Sequence, residues 1–137
     1  MIYPRMFIDR YENKSIGDRY PWPPIRMKPG SRIISSTILG PLSMNRNSQI
    51  GPDATIGKYL SLNEDCFIAR ATVGAFCTMG ARTAINPFNH PVDWLSVHEF
   101  QYHPNAFDWI AEYADCDRLE RSDAKAERVT IGNAVWA

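Results

Sequence analysis

The chain has 137 residues, which is enough for one ordinary domain and too few for two. Hydrophobic residues make up 45% and charged residues 22%, a globular composition that excludes a disordered chain. The formal net charge is zero, so composition gives no indication of a nucleic-acid or membrane-surface partner.

The cysteines and the N-terminal residues bear on the compartment. Cys66, Cys77 and Cys116 are odd in number and widely spaced, which argues against a disulfide framework or a zinc cluster. Pro4 and Arg5 interrupt the start of the chain too early for a signal peptide. No apolar run approaches the ~20 residues that a membrane span needs. We therefore expect a cytoplasmic protein.

Residues 1–37 are rich in proline and aromatic side chains, with Tyr20-Pro21-Trp22-Pro23-Pro24 at the centre. Consecutive prolines forbid a helix there and favour extended backbone. We interpret this segment as an irregular cap that covers the strand edges of whatever follows it. An alternative role for Tyr20 and Trp22 is to flank an acceptor substrate.

Residues 38–90 repeat with a period of six. The aliphatic positions are Ile38, Met44, Ile50, Ile56, Leu62 and Ile68, then, after a slip of one residue, Val73, Met79 and Ile85. From Met44 onward the next residue is Gly or Asn, except at Ala69. Four places after the aliphatic residue a small side chain is usual: Ser48, Ala54, Cys66, Thr72, Cys77 and Thr83.

A period of six fits neither an amphipathic helix nor a half-buried strand, and it is typical of a parallel β-helix. Each hexad makes one short strand and a corner, and three hexads close one coil. We predict that the aliphatic residue points inward and the small residue fills the tight corner. Gly and Asn suit such a corner because they tolerate φ > 0, and Gly also allows close backbone approach. Four basic residues are expected at solvated corners: Arg46, Lys58, Arg70 and Arg82.

Residues 91–128 abandon the period and form a long excursion rich in aromatic residues, of the kind that is often functional. Residues 129–137 resume the pattern as a returning, incomplete coil. Because repeat arrays need capping units, the end at Ala137 suggests a truncated β-helix. The whole chain is predicted to be a single domain.

His90 stands at the junction between the hexads and the excursion, which is a usual place for a site. Histidine accepts and returns protons near neutral pH, so His90 is the candidate general base. One alternative is a surface histidine at the turn before Pro91. Another is a zinc site formed by His90, His98 and His103.

The hexads, the Asn89-His90-Pro91 step, the following Asp93-Trp94-Leu95-Ser96 and the return at residues 131–136 resemble the hexapeptide-repeat acyltransferases. The nearest branch is the xenobiotic acetyltransferase group, with chloramphenicol and streptogramin acetyltransferases and related sugar O-acetyltransferases. The resemblance covers about residues 38–136. It implies an all-β, left-handed parallel β-helix and a homotrimer.

The resemblance also implies the chemistry. His90 would deprotonate an acceptor hydroxyl, which attacks the thioester of the co-substrate acetyl-CoA, and no metal is expected. Trp136 matches a tryptophan near the CoA groove of relatives. Trp94, Ser96 and Tyr102 are candidates for binding the acceptor, which is a sugar or glycan hydroxyl or a xenobiotic such as chloramphenicol.

Relatives continue for several more hexads that supply most of the CoA groove. We therefore expect weak or no activity from these 137 residues, although the family is enzymatic. The alternative hypothesis is an inactive β-helix that acts as a structural or interaction module. A third, a zinc-dependent β-helix resembling carbonic anhydrase, requires stoichiometric metal.

Overall fold

The computed structural model describes residues 4–14, 19–87, 89–90, 92–98 and 127–137. In these ranges the regular structure consists of strands: β1 Met6–Glu12, β2 Arg19–Tyr20, β3 Ile25–Met27, β4 Arg32–Ile38, β5 Leu42–Met44, β6 Gln49–Ile50, β7 Thr55–Ile56, β8 Leu60–Leu62, β9 Phe67–Ile68, β10 Ala71–Val73, β11 Thr78–Met79, β12 Ala84–Ile85 and β13 Val129–Ile131. Within those same ranges, no helix is long and apolar enough to cross a membrane. The chain divides into two units, one of Met1–Pro87 with Glu127–Ala137 and one of Phe88–Ala126.

The strands of the first unit stack in parallel as a β-solenoid of about four turns. Strands β3, β5, β8 and β11 form a first face. The beginning of β4 pairs with β6, which continues through β9 to β12 as a second face. The end of β4 pairs with β7, which continues through β10 to β13 as a third face. This arrangement confirms the predicted all-β parallel β-helix.

The first coil begins at β3, before the period of six becomes visible in the sequence. Its free edge is covered by two antiparallel strands, because β1 pairs along the whole of β4 and β2 pairs with β3. These strands occupy the backbone hydrogen-bonding groups that an open parallel edge would leave unpaired.

The aliphatic positions of the hexads form the interior. The second face aligns Ile33, Ile50, Ile68 and Ile85, and the third aligns Ile38, Ile56, Val73 and Ile131. The buried members of these columns belong to one continuous apolar core, against which Ile131 is partly buried. Each buried aliphatic side chain contributes about 1.5–3 kcal/mol relative to exposure, so the columns hold the coils together.

The prediction of φ > 0 at the Gly and Asn positions is correct only for Gly51 and Asn86. Positive φ falls mostly two residues later, at Asn47, Asp53, Tyr59, Asp65, Phe76, Arg82 and Ala134. The reason is that the strand ladder continues through the Gly or Asn itself. The N–H of Gly57, for example, donates to the Val73 carbonyl at 2.7 Å, so the backbone bends only beyond that residue.

Close backbone approach does explain the glycines. A Cβ on Gly57 would lie 2.5 Å from the carbonyl carbon of Gly74 in the next coil. A Cβ on Gly74 would lie 2.6 Å from the carbonyl carbon and oxygen of Gly132. A side chain at Gly57 or Gly74 would therefore push neighbouring coils apart.

The small residues link coils through hydrogen bonds. Ser48 is fully buried, and its hydroxyl donates to the Asn63 carbonyl at 2.7 Å and accepts the N–H of Cys66 at 3.2 Å. Cys66 continues the column, since its thiol donates to the Gly80 carbonyl at 3.0 Å. Where the hexad is one residue short, Ala71 takes the buried place and Thr72 turns partly outward.

Candidate functional site

The long excursion takes the place of one corner of the solenoid. In the last coil the second face ends at Ile85, and the third face resumes with β13 at Val129. In the coil below, the same corner is closed by Ala69 and Arg70 alone. The excursion therefore leaves and re-enters the solenoid at adjacent strand columns. We call residues 86–87 and 127–128, which join its ends to the coils, the neck.

Arg70 binds the outgoing end of the neck. Its Nη2 donates to the carbonyls of Asn86 at 3.0 Å and Pro87 at 2.8 Å. The side-chain amide of Asn86 donates in turn to the carbonyls of Arg70 at 3.0 Å and Glu127 at 2.8 Å. The prediction that Arg70 is merely a solvated corner is therefore wrong. The sequence signal for this role is the position of Arg70, which lies where the period of six is one residue short.

Arg128 binds the incoming end. Its Nη1 donates to the Ala71 carbonyl at 3.0 Å and to the Thr72 hydroxyl at 3.2 Å. Its Nη2 donates to the Asp53 carbonyl at 3.1 Å and forms an ion pair with the Asp53 carboxylate. One side chain thus connects two neighbouring coils, at Asp53 and at Ala71 and Thr72, to the start of β13.

The second unit contains His90, whose side chain is exposed. Ring nitrogen Nδ1 of His90 lies 3.0 Å from the backbone carbonyl oxygen of Val97. A carbonyl oxygen can only accept a hydrogen bond, so this contact requires a proton on Nδ1. In the neutral ring the other nitrogen, Nε2, then carries the lone pair.

Two of the predicted acceptor-binding residues lie in the same segment. The hydroxyl of Ser96 accepts the backbone N–H of His98 at 3.0 Å, immediately beside the carbonyl that His90 contacts. Trp94 is half-buried in this segment. Tyr102, the third predicted residue, lies outside the described residues.

Trp136 belongs to the first unit. It forms a parallel β-bridge with Thr78 and so extends the first face by one coil. Its side chain is 82% exposed and takes the outward register of Thr78, whose neighbour Met79 points into the core. The predicted CoA-contacting residue therefore presents its indole to the outside of the solenoid.

The alternative of a zinc site depends on residues that are only partly described. Within the described ranges, no group of three or more His, Cys, Asp or Glu side chains could hold a metal ion. The three-histidine alternative also requires His103, which lies outside those ranges. Cys66 and Cys77 are buried free thiols in the core and are unavailable as ligands.

No protein-family model, no curated protein and no solved structure matches the chain. The solenoid itself is compatible with a hexapeptide-repeat β-helix. The Val97 carbonyl could not be predicted from the sequence as a partner of His90, because every residue has a backbone carbonyl.

Proposed function

We propose that this chain is an acetyl-CoA-dependent O-acetyltransferase in which His90 is the general base. The observation that carries the proposal is the contact between His90 Nδ1 and the Val97 carbonyl at 3.0 Å. It selects the tautomer whose Nε2 can take a proton, on an exposed ring that an acceptor can reach.

In this mechanism Nε2 of His90 removes the proton from the acceptor hydroxyl as that oxygen attacks the acyl carbonyl. Acetyl-CoA supplies the thioester that receives the attack. The imidazolium formed on His90 is stabilised by the charge-assisted hydrogen bond from Nδ1 to Val97. His90 then returns the proton to the departing sulfur, so the ring ends neutral and no acyl-enzyme forms.

The binding partners follow from the same proposal. The exposed indole of Trp136 offers a flat apolar surface that suits part of acetyl-CoA. The acceptor is a hydroxyl of a sugar, a glycan or a xenobiotic such as chloramphenicol, with Trp94, Ser96 and Tyr102 as candidate contacts. A homotrimer is the proposed assembly, on the resemblance alone.

The test is release of free thiol from acetyl-CoA over a panel of sugars, chloramphenicol and a streptogramin. His90→Ala should lower turnover with the best acceptor by about 10²- to 10⁴-fold, because the proton then has no base to accept it. Titration calorimetry should show that His90→Ala retains acetyl-CoA binding. Unchanged turnover in His90→Ala would remove His90 from the mechanism.

A second candidate function is a binding module without catalysis. Exposed aromatic side chains on the coils favour it, since Tyr59 and Phe76 stack with ring centroids 4.9 Å apart while remaining 46% and 64% exposed. The calorimetric titration separates the two candidates, because a module of this kind gives no heat of binding with acetyl-CoA.

A further inference from the structure

The segment Ser96-Val97-His98 contains a hydrogen bond that the proposed mechanism does not use, the one between Ser96 and His98. The hydroxyl oxygen of Ser96 accepts the N–H of His98 at 3.0 Å. The carbonyl of Val97, bonded to that same nitrogen, lies 3.0 Å from Nδ1 of His90. Both contacts therefore involve one peptide group, the planar unit between Val97 and His98.

We propose that Ser96 is a positioning residue for His90. In a trans peptide the N–H and the C=O point in opposite directions, so a group that holds the N–H also aims the carbonyl. The Ser96 hydroxyl binds the N–H on one side of this peptide group. The carbonyl oxygen on the opposite side then points to the imidazole of His90. Ser96 thereby fixes the orientation and the tautomer of the ring through the peptide group between Val97 and His98.

The two hydrogen bonds also reinforce each other electronically. When the N–H of a peptide group donates, its carbonyl oxygen becomes a better acceptor, because chains of hydrogen bonds polarise one another. The Ser96 hydroxyl thus strengthens acceptance by the Val97 carbonyl as well as directing it.

The inference rests on the proposed function only where it concerns catalysis. The structural claim is that the neutral ring of His90 carries its proton on Nδ1 and that Ser96 maintains this state. This claim stands or falls by spectroscopy whether or not the chain transfers acetyl groups. It also differs from a role of Ser96 in binding the acceptor.

The experiment measures histidine tautomers in the full ¹⁵N-labelled chain by long-range ¹H–¹⁵N correlation. The pH is about 8.5, where an ordinary imidazole is neutral. The His90 signals are assigned by their loss in His90→Gln. The wild-type ring should be mainly protonated on Nδ1. Ser96→Ala should lower its ratio of Nδ1–H to Nε2–H about fivefold, the equivalent of one typical net hydrogen bond.

Ser96→Thr keeps a hydroxyl at the same position and should restore the wild-type ratio. Ser61→Ala removes an exposed serine on β8 of the first unit and is the matched control, with no change expected. Ser96→Cys supplies a weak acceptor and should give an intermediate ratio. This series tests the inference even if one substitution disturbs the segment, because the tautomer ratio should follow the acceptor strength of the side chain.

A wild-type His90 that prefers Nε2–H, or a ratio that Ser96→Ala leaves unchanged, would overturn the inference. If acetyl transfer is found, Ser96→Ala should lower kcat and leave KM for the acceptor unchanged. A raised KM with unchanged kcat would instead assign Ser96 to acceptor binding. If no acceptor reacts but the tautomer series behaves as expected, the proposed function fails and the positioning role remains.

Discussion

The solenoid coils and the segment around His90 hold their side chains in place by different means. In the coils, parallel register decides each contact, so that Ile38, Ile56 and Val73 align across adjacent strands and all three are buried. Around His90, two hydrogen bonds meet at one peptide group and orient the ring, which is exposed. Substitutions in the coils should therefore act on stability, and substitutions in the His90 segment should act on chemistry.

The difference in energy between the two regions is large. A buried aliphatic side chain contributes about 1.5–3 kcal/mol, and every coil carries several of them. Each hydrogen bond at the Val97–His98 peptide group contributes a net of about 0.5–1.5 kcal/mol. A loss of energy the size of one hydrogen bond should therefore leave the coils folded, whereas the same loss around His90 should reorient the imidazole.

The largest expected effect in the coils is at Ile56, which has no exposed surface and lies between Ile38 and Val73 in its column. Ile56→Ala should lower the free energy of unfolding by about 2–5 kcal/mol, because it removes buried methyl groups and leaves a cavity. Urea unfolding measures the loss. Ile56→Val, the matched smaller change, should cost about 0.5–1.5 kcal/mol.

Ile56→Ala also tests whether the coils and the segment around His90 are independent of each other. If the two regions are independent, folded Ile56→Ala should retain the wild-type tautomer ratio at His90. A changed ratio in protein that remains folded would show that packing in the coils reaches the imidazole. The separation between scaffold and site would then have to be abandoned.

The next effect comes from glycine, where two positions of one column make a matched pair. A Cβ at Gly74 would lie 2.6 Å from the backbone of Gly132, whereas a Cβ at Gly132 would meet no atom within 4 Å. Gly74→Ala should cost about 1–3 kcal/mol of unfolding free energy, the usual range for overpacking. Gly132→Ala should have little effect.

Urea unfolding, as used for Ile56→Ala, measures the free energy of unfolding of Gly74→Ala and Gly132→Ala. Neither glycine has a positive φ, so the difference between the two variants reports the spacing of coils and not backbone strain. Equal costs at Gly74 and Gly132 would contradict the assignment of Gly74 to close coil contact.

The sequence predicted the fold because the period of six is carried by side chains. Once Ile50, Ile56 and Leu62 are taken as inward-pointing, the parallel coils follow, and the structure buries all three. The location of the bend could not be predicted as well. Tyr59 and Phe76 adopt positive φ although their residue type disfavours it, because tertiary pairing of the coils fixes the corner there.

The candidate site was predictable only as far as residue chemistry extends. His90 stands out by type and by its place at the end of the hexads. Its partner is a backbone carbonyl, which any residue at position 97 would supply. The neck was missed for another reason, since Arg128 and Asp53 are 75 positions apart and come together only through the winding of the coils.

The smallest effect is expected at the neck. There, as around His90, side chains form hydrogen bonds with backbone groups. Arg128 and Asp53 keep 38% and 69% of their side-chain surface exposed, so their ion pair contributes about 1 kcal/mol or less. Arg128→Ala should therefore barely change global stability. It should loosen the start of β13 locally, because Arg128 also binds the Ala71 carbonyl on the adjacent strand.

Amide hydrogen exchange can detect this local loosening. The N–H of Val129 donates to the Arg70 carbonyl at 3.2 Å, and its exchange should accelerate about fivefold in Arg128→Ala. The N–H of Gly57, which donates to the Val73 carbonyl of the next coil, is the internal control and should be unaffected. Arg128→Lys keeps the charge but not the paired donors, so it should fall between wild type and alanine. Unchanged exchange at Val129 in Arg128→Ala would mean that β13 is held by its strand pairing to β10 alone. The neck would then belong with the coils, and side-chain control of geometry would be confined to the His90 segment.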